Sequence, residues 1–531
     1  QTKCLKKVNN LVLEQKWGEL TKNMLGRMKF GTAGLRGLMA AGYNCMNDVV
    51  ILQTAQGLCS YIQKVCNQSQ LHNGVVIGYD GRYNSKRFAE LTAKVFLSSA
   101  IPVHLFSTVC PTPFVSFATI HYHAAVGVMV TASHNPKEDN GYKVYWSNGS
   151  QIIAPHDDNI LEEINQCLEI PDEMWDISYV RTHPLVKDCT EEVTIAYIYY
   201  MQDSLHNEVL EDNYVASIQS VYSAMHGVGY EYVKKAFVAS GLKPPISVPE
   251  QRDPDPEFPT VKFPNPEEPA CLKLSQQLAV DKDVALVLAN DPDADRLAVA
   301  EYDKSTKTWK VFTGNEMGAL LGWWLLKQHY KKYPDDNEED VYVIASIVSS
   351  KMLRAIVKGR GEFVETLTGF KWMGNTTLLL QQQNKRPVFA FEEAIGYMCS
   401  PRVPDKDGIS AAVQVASLAS HLKVRGSSLA QQLKCLYSEY GYHVTHNSYY
   451  ICHEPATIQK IFRRIRNYNG PGEVNVLGTG LDQEYSSGEM IMFRTAAALA
   501  ITVRTSGTEP KLKYYAELKA QAPTQRYCTH Q

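Results

Sequence analysis

No two of the twelve cysteines form a C-x-x-C pair, so neither a zinc ribbon nor a thioredoxin-type redox site is indicated. Scattered from Cys4 to Cys528, they are expected to be reduced structural thiols of a cytoplasmic protein. Long apolar runs are missing too. The longest strongly apolar stretch, Met317 to Leu326, falls well short of the ~18–20 residues a spanning helix needs, so no membrane segment is expected. The first residues are polar and basic (Lys3, Lys6, Lys7) with no apolar run before a small-residue cleavage site, and no secretory signal is expected. Neither sign of charge dominates: 53 Lys and Arg against 56 Asp and Glu leave a net charge of −3. No global field is available to hold nucleic acid or an anionic membrane, so any anion site must be built locally.

What is present is the material of a multidomain globular protein. At 531 residues the chain exceeds one hydrophobic core, and ~3–4 domains are expected from typical domain size. Apolar residues make up 44% and charged residues 21%, which excludes a largely disordered chain. Short apolar runs ending in polar or glycine-rich loops predict strands at Val75–Asp80, Val103–Phe106, Ala125–Thr131, Val284–Asn290, Val341–Ile347 and Pro387–Phe391. Three- and four-residue apolar spacing predicts helices at Lys86–Ser98, Asn315–Gln328 and Ile409–Leu422. The alternation argues for α/β architecture. A stretch dense in proline and acids, Lys243–Pro269, reads as a loop inside a domain, and the polar run Lys331–Asp340 as a surface connection. No tandem repeat is visible in the residues, though divergence can hide three similar α/β units.

The unusual polar clusters begin where the predicted strands finish, which is where α/β folds gather their ligands. The first is Thr131-Ala132-Ser133-His134-Asn135-Pro136, followed by Asp139-Asn140-Gly141-Tyr142-Lys143. It exposes a serine hydroxyl on a proline-terminated turn, as a covalent phosphoryl carrier requires, although such a turn is often plain loop chemistry. The second, Asp291-Pro292-Asp293-Ala294-Asp295-Arg296, converges three carboxylates on a point that suits Mg²⁺. It is not an EF-hand, because position six is Arg296 and position twelve is Tyr302. The third, Arg504-Thr505-Ser506-Gly507-Thr508-Glu509-Pro510-Lys511, offers backbone N–H groups, hydroxyls and two cations as a phosphate cradle, without the Walker pattern. The fourth, Phe391-Glu392-Glu393-Ala394-Ile395-Gly396-Tyr397, with Asp405-Lys406-Asp407-Gly408 downstream, places a carboxylate where it can accept hydrogen bonds from sugar hydroxyls. Adjacent glutamates on an extended backbone point to opposite sides, which argues against a glycosidase pair.

Taken together and in this order, from Gly31-Thr32-Ala33-Gly34-Leu35-Arg36-Gly37 to Arg504–Lys511, these motifs resemble the α-D-phosphohexomutases. They look most similar to the phosphoglucomutase-2 (phosphopentomutase) branch. The resemblance implies three similar α/β domains with mixed sheets and a smaller C-terminal α+β domain around one central cleft. The domains are expected at 1–207 (phosphoserine), 208–312 (metal), 313–436 (sugar) and 437–531 (phosphate). It implies Ser133 as the phosphoserine and Asp291, Asp293 and Asp295 as ligands of Mg²⁺, together with a phosphate oxygen on Ser133. By the same resemblance Glu392 binds the sugar hydroxyls, while Arg504, Ser506, Gly507, Thr508 and Lys511 grip the phosphate that does not react. Arg36, Arg296, Thr368, Gly369 and Lys406 match positions lining the site. Lys143 and Lys406 are both candidates for the base, with a pKa lowered by Arg or Mg²⁺ nearby; His134 ranks second.

The implied activity interconverts sugar 1-phosphates with glucose 6-phosphate or (deoxy)ribose 5-phosphate through a bisphosphate, with glucose 1,6-bisphosphate as activator. Ala394 stands where the common hexomutases carry serine, so a hydrogen bond worth about 0.5–1.5 kcal/mol is missing and weaker hexose discrimination is expected. A glucose 1,6-bisphosphate synthase using 1,3-bisphosphoglycerate and an inactive sugar-phosphate-binding protein are the alternatives. The partners expected are small sugar phosphates, not nucleic acid or membrane. Oligomeric state is left open.

Overall fold

The short β-branched runs become strands, and each ends where its polar loop begins. The structure, a computed structural model, describes residues 2–31, 34–452, 454–467, 481–487, 490–495, 499–505 and 511–520. Thr32 and Ala33 of the first glycine-rich motif, and Ser506, Gly507 and Thr508 of the expected phosphate cradle, lie outside the described residues.

The first sheet holds β1 (Leu35–Leu38), β2 (Val75–Tyr79), β3 (Val103–Leu105), β4 (Val126–Val130), β5 (Asp139–Trp146) and β6 (Val186–Asp188), in the order β1-β5-β4-β2-β3-β6. Every residue of β2 and β4 is buried, as expected of parallel strands covered by helices on both faces. The second sheet holds β7 (Ser220–Ser223), β8 (Ile246–Ser247), β9 (Leu286–Ala289), β10 (Ala298–Asp303) and β11 (Thr308–Val311), ordered β11-β10-β9-β7-β8. The third holds β12 (Val341–Ser346), β13 (Glu362–Thr366), β14 (Arg386–Glu392) and β15 (Gly396–Met398), ordered β13-β12-β14-β15.

The three sheets share one design. A parallel core is extended by an antiparallel strand: β4 by β5, β9 by β10, and β14 by β15. The Ser133 loop, the triple-aspartate loop and the Glu392 loop each make that same connection. The hidden threefold similarity therefore lies in topology rather than in residue identity. A continuous apolar cluster including Phe114, Tyr197, Tyr222, Trp324 and Phe391 runs through all three units and fixes the loops relative to one another.

The expected helices run Ser85–Ser98, Gly314–Lys332 and Gly408–Val424. Thr313 and Glu316 form a capping box on the second, and the Asp407 carboxylate accepts the Ile409 and Ser410 N–H groups to start the third. The proline-rich stretch carries only the two-residue β8 and short 3₁₀ turns before the helix Lys273–Asp281.

The fourth unit is an antiparallel sheet of β16 (Tyr442–Ile451), β17 (Leu481–Ser487), β18 (Met490–Thr495), β19 (Leu499–Thr505) and β20 (Lys511–Ala520), with the helix Pro455–Arg466. Glu517 pins it to the third unit, accepting the Lys351 N–H at 3.0 and 3.1 Å. No helix among the described residues is long and apolar enough to cross a membrane. Among the described residues, nine cysteines are free thiols. Cys435 differs from the expectation of reduced thiols, being disulfide-bonded.

Asp80-Gly81-Arg82, immediately after β2, braces the serine loop. The buried Arg82 guanidinium donates to the carbonyls of Ser133 (2.6 Å), Asn135 (2.6 Å), Pro136 (2.8 Å) and Asp139 (3.2 Å), and its Nε lies 3.3 Å from Asp80. Asp80 accepts the hydroxyls of Ser85 and Thr131 at 2.6 and 2.7 Å. Arg82→Met leaves that carboxylate buried without its cation and is expected to cost about 3–5 kcal/mol. Urea denaturation checks this; a loss under about 1 kcal/mol, the scale of a surface pair, contradicts it.

Candidate active site

Each of the three connecting loops holds a non-glycine residue in the left-handed region: Ser133 (φ 53°), Ala294 (φ 57°) and Ile395 (φ 53°). Such a conformation costs about 1–2 kcal/mol for a residue with a Cβ, so surrounding bonds must hold it. At Ser133 they are the Arg82 bonds and its own N–H, which donates to Thr131 Oγ1 at 2.8 Å. The hydroxyl is not exposed as the turn suggests but buried, and the twist aims it at the second unit, where Ser133 Oγ donates to Asp291 Oδ2 at 2.7 Å.

Asp291, Asp293 and Asp295 offer ligand oxygens all within 4.8 Å of one another, and all three are buried. Asp291 Oδ1 accepts the Arg296 N–H at 3.0 Å. Asp293 Oδ2 accepts from Thr112 Oγ1 at 2.6 Å and from Lys143 Nζ at 2.7 Å, and Asp295 Oδ2 accepts from Lys143 at 2.8 Å. Thr112 opens the helix Thr112–His121, whose positive end favours the carboxylate. From the third unit, Lys406 Nζ approaches Asp295 Oδ2 at 3.5 Å. Gly408 sits so close that a Cβ there would lie 2.5 Å from the Arg296 carbonyl and 2.8 Å from that of Ala294. Glycine is therefore required for the third unit to seat on the triple-aspartate loop.

The donor set fits a hard divalent cation. Asp293 Oδ1 and Asp295 Oδ1 are buried and make no hydrogen bond, although buried carboxylate oxygens ordinarily find partners. Burial, then Asp293 and Asp295, drive the Asp291 carboxyl well above the usual carboxylate range. Against its burial, Lys143 and Lys406 hold Asp295 far below that range. Three carboxylates exceed what the lysines neutralise, and a cation preferring oxygen would relieve the excess.

Both lysines lie among carboxylates. Burial draws the Lys143 ammonium down, but Asp293 and Asp295 outweigh it and raise the group above the ordinary lysine range. Lys406 is raised in the same way, against burial, by Asp295, Asp405 and Glu392. The near neighbours of both are carboxylates, which favour the charged ammonium. His134 is the reverse case: burial, then Arg296 and Arg36, push it well below the ordinary histidine value. Its Nδ1 lies 3.2 Å from Ser133 Oγ, so these neighbours do face each other.

Glu392 closes β14 beside Lys406. Gly396 makes room for both, since a Cβ there would meet Lys406 Cδ at 2.3 Å and Glu392 Cγ at 3.1 Å. Burial raises the Glu392 carboxyl, opposed by Lys406 and Arg296. Arg36, on β1, reaches the serine loop at Asn135 Oδ1, 3.4 Å away. Phe370, which follows Thr368 and Gly369 in the chain, has its ring 5.5 Å from Lys406 Nζ.

Arg504 and Lys511 stand on the fourth sheet. Arg504 donates to Tyr515 Oη at 2.8 Å. Lys511 Nζ lies 4.2 Å from the Tyr449 ring and 5.8 Å from that of Phe263, whose ring meets His134 edge-on at 5.6 Å. Arg82, Thr112, Phe263 and Tyr515 were not anticipated. Arg82 carries a readable signal, a charged residue in the loop after β2; Phe263 in the proline-rich stretch carries none.

Three family models match in succession: phosphoglucomutase/phosphomannomutase α/β/α domain I over residues 27–170, domain II over 197–304 and domain III over 313–440. The chain belongs to the phosphoglucomutase/phosphomannomutase family. Within that family it is 48% identical to the phosphopentomutase of Homo sapiens, covering 97% of this chain and 89% of the relative. It is 44% identical to the human glucose 1,6-bisphosphate synthase, covering 98% and 88%. The putative phosphomannomutase of Thermus thermophilus superposes with a TM-score of 0.68 at 20% identity over 94% of this chain and 96% of that one, a likeness of fold.

Mg²⁺ at a hundredfold excess over its Kd is expected to stabilise the protein by about 2.7 kcal/mol, read as a rise in thermal midpoint. Asp293→Asn should remove most of the rise; an equal rise in that variant contradicts the assignment of the aspartates.

Proposed function

We propose that the chain carries a phosphoryl group on Ser133 and exchanges it with sugar phosphates. Membership of the family makes it a phosphosugar mutase, an isomerase. The observation that supports Ser133 as carrier is its buried Oγ, 2.7 Å from Asp291 in a triad with two unpartnered carboxylate oxygens. Phosphoryl transfer asks chiefly for charge neutralisation and alignment. Asp291, Asp293 and Asp295, with an oxygen of phosphorylated Ser133, would hold a Mg²⁺ ion, which would supply that neutralisation.

In the transfer, the bond from phosphorus to Ser133 Oγ breaks and one to a sugar oxygen forms. The sugar hydroxyl loses a proton and Ser133 Oγ gains one. Lys143 and Lys406, held protonated by their carboxylates, suit phosphate binding and proton donation, while neutral His134 suits proton holding at Ser133 Oγ. Glu392 takes the sugar hydroxyls, with Arg36, Arg296, Thr368 and Gly369 around it. Arg504, Ser506, Gly507, Thr508 and Lys511 take the other phosphate. The bisphosphate then turns over and returns its second phosphate to Ser133, with free glucose 1,6-bisphosphate priming the serine. The units are proposed to run 1–207, 208–312, 313–436 and 437–531, in a cytoplasmic enzyme.

For substrate, the named activity of the 48%-identical phosphopentomutase and Ala394 in the sugar loop both support pentose phosphates. Side-by-side assays primed with glucose 1,6-bisphosphate are expected to give ribose 1-phosphate a kcat/KM at least equal to that of glucose 1-phosphate. An advantage for glucose 1-phosphate of more than about tenfold would remove the pentose assignment. The 44%-identical synthase supports a second reading; stoichiometric bisphosphate formation from 1,3-bisphosphoglycerate and glucose 1-phosphate would establish it.

A further inference from the structure

The proline-rich stretch between β8 and β9 is folded across the site rather than away from it. Phe258 lies under the Arg82 guanidinium at 4.9 Å, Glu257 pairs with Lys137 at 2.6 Å, and Thr260 Oγ1 meets His226 at 2.8 Å and Gln251 at 2.9 Å. These attachments to the serine loop and to the second unit fix where the end of the stretch goes. That end brings Phe263 against His134 and Glu267 against Arg296.

Arg296 is held loosely on both sides. Its Nη1 is 3.7 Å from Glu267 Oε2 and its Nε 3.9 Å from Asp295 Oδ1, both beyond hydrogen-bond length. Its Nε makes no hydrogen bond although buried. The guanidinium is thus suspended between one carboxylate of the proline-rich stretch and the carboxylates of the metal loop. Without Glu267, the carboxylates left beside it are Asp291, Asp295 and Glu392.

We propose that Glu267 is a positioning residue for Arg296, drawing the guanidinium away from Asp295 so that it stays available to the bound sugar phosphate. The proposal rests on the reading of Arg296 as a substrate contact. Glu267 keeps 39% of its side chain exposed, so Glu267→Gln preserves size and folding while removing the charge. The effect should fall on binding, because Arg296 meets substrate before and during transfer alike.

The test compares four full-length proteins: the unmodified chain, E267Q, R296K and the double variant. Each is assayed for KM and kcat with glucose 1-phosphate, and its Kd for glucose 1-phosphate is measured calorimetrically, which reads binding whether or not turnover occurs. E267Q is expected to raise KM and Kd roughly tenfold with kcat within about twofold. In the R296K background the same change should move Kd by less than about twofold, since the partner through which it acts has been altered. A Kd for E267Q within about twofold of the unmodified chain overturns the proposal. So does the same factor in both backgrounds, because Glu267 would then act independently of Arg296. Calorimetry keeps this outcome distinct from a failure of the mutase reading, which turnover alone reports.

Discussion

Three buried carboxylates in five residues are electrostatically untenable alone, and the architecture is arranged around relieving them. Lys143 comes from the first unit to bridge Asp293 and Asp295, and Lys406 arrives from the third. The serine hydroxyl donates to Asp291. In a low-dielectric interior each of these contacts is strong only if the others hold. The shared apolar cluster and the glycine at 408 let the units approach closely enough for all of them to form together.

The same constraint explains the strained loops. Three equivalent connections each twist one non-glycine residue into the left-handed region, and at Ser133 the twist turns the hydroxyl onto Asp291. Local strain persists where surrounding structure over-determines it. Arg82 does this for the serine loop with four carbonyl bonds.

Much of this was legible in the sequence. The strands at 75–79, 126–130 and 286–289 were readable because parallel strands buried on both faces are nearly continuous in apolar residues. The clusters at Ser133, Asp291–Asp295 and Glu392 were readable because ligand groups collect at strand ends. Less readable was anything depending on distance between units. That Lys143 and Lys406 converge on Asp295, and are raised rather than lowered, follows from packing of the first and third units on the second. The proline-rich stretch reads as a loop, but nothing in its residues says that Phe263 and Glu267 return to the site. The threefold equivalence of the loops is a property of strand order, which residue identities do not carry.

The central claim is that Ser133 carries the phosphoryl group, and its most direct measurement is peptide mapping by mass spectrometry after incubation with glucose 1,6-bisphosphate and Mg²⁺. One phosphoryl group is expected on the peptide containing Ser133, and it should be discharged when excess sugar monophosphate is added. A phosphoryl group mapped to another residue, or a Ser133 phosphate that sugar monophosphate leaves in place, would contradict the account.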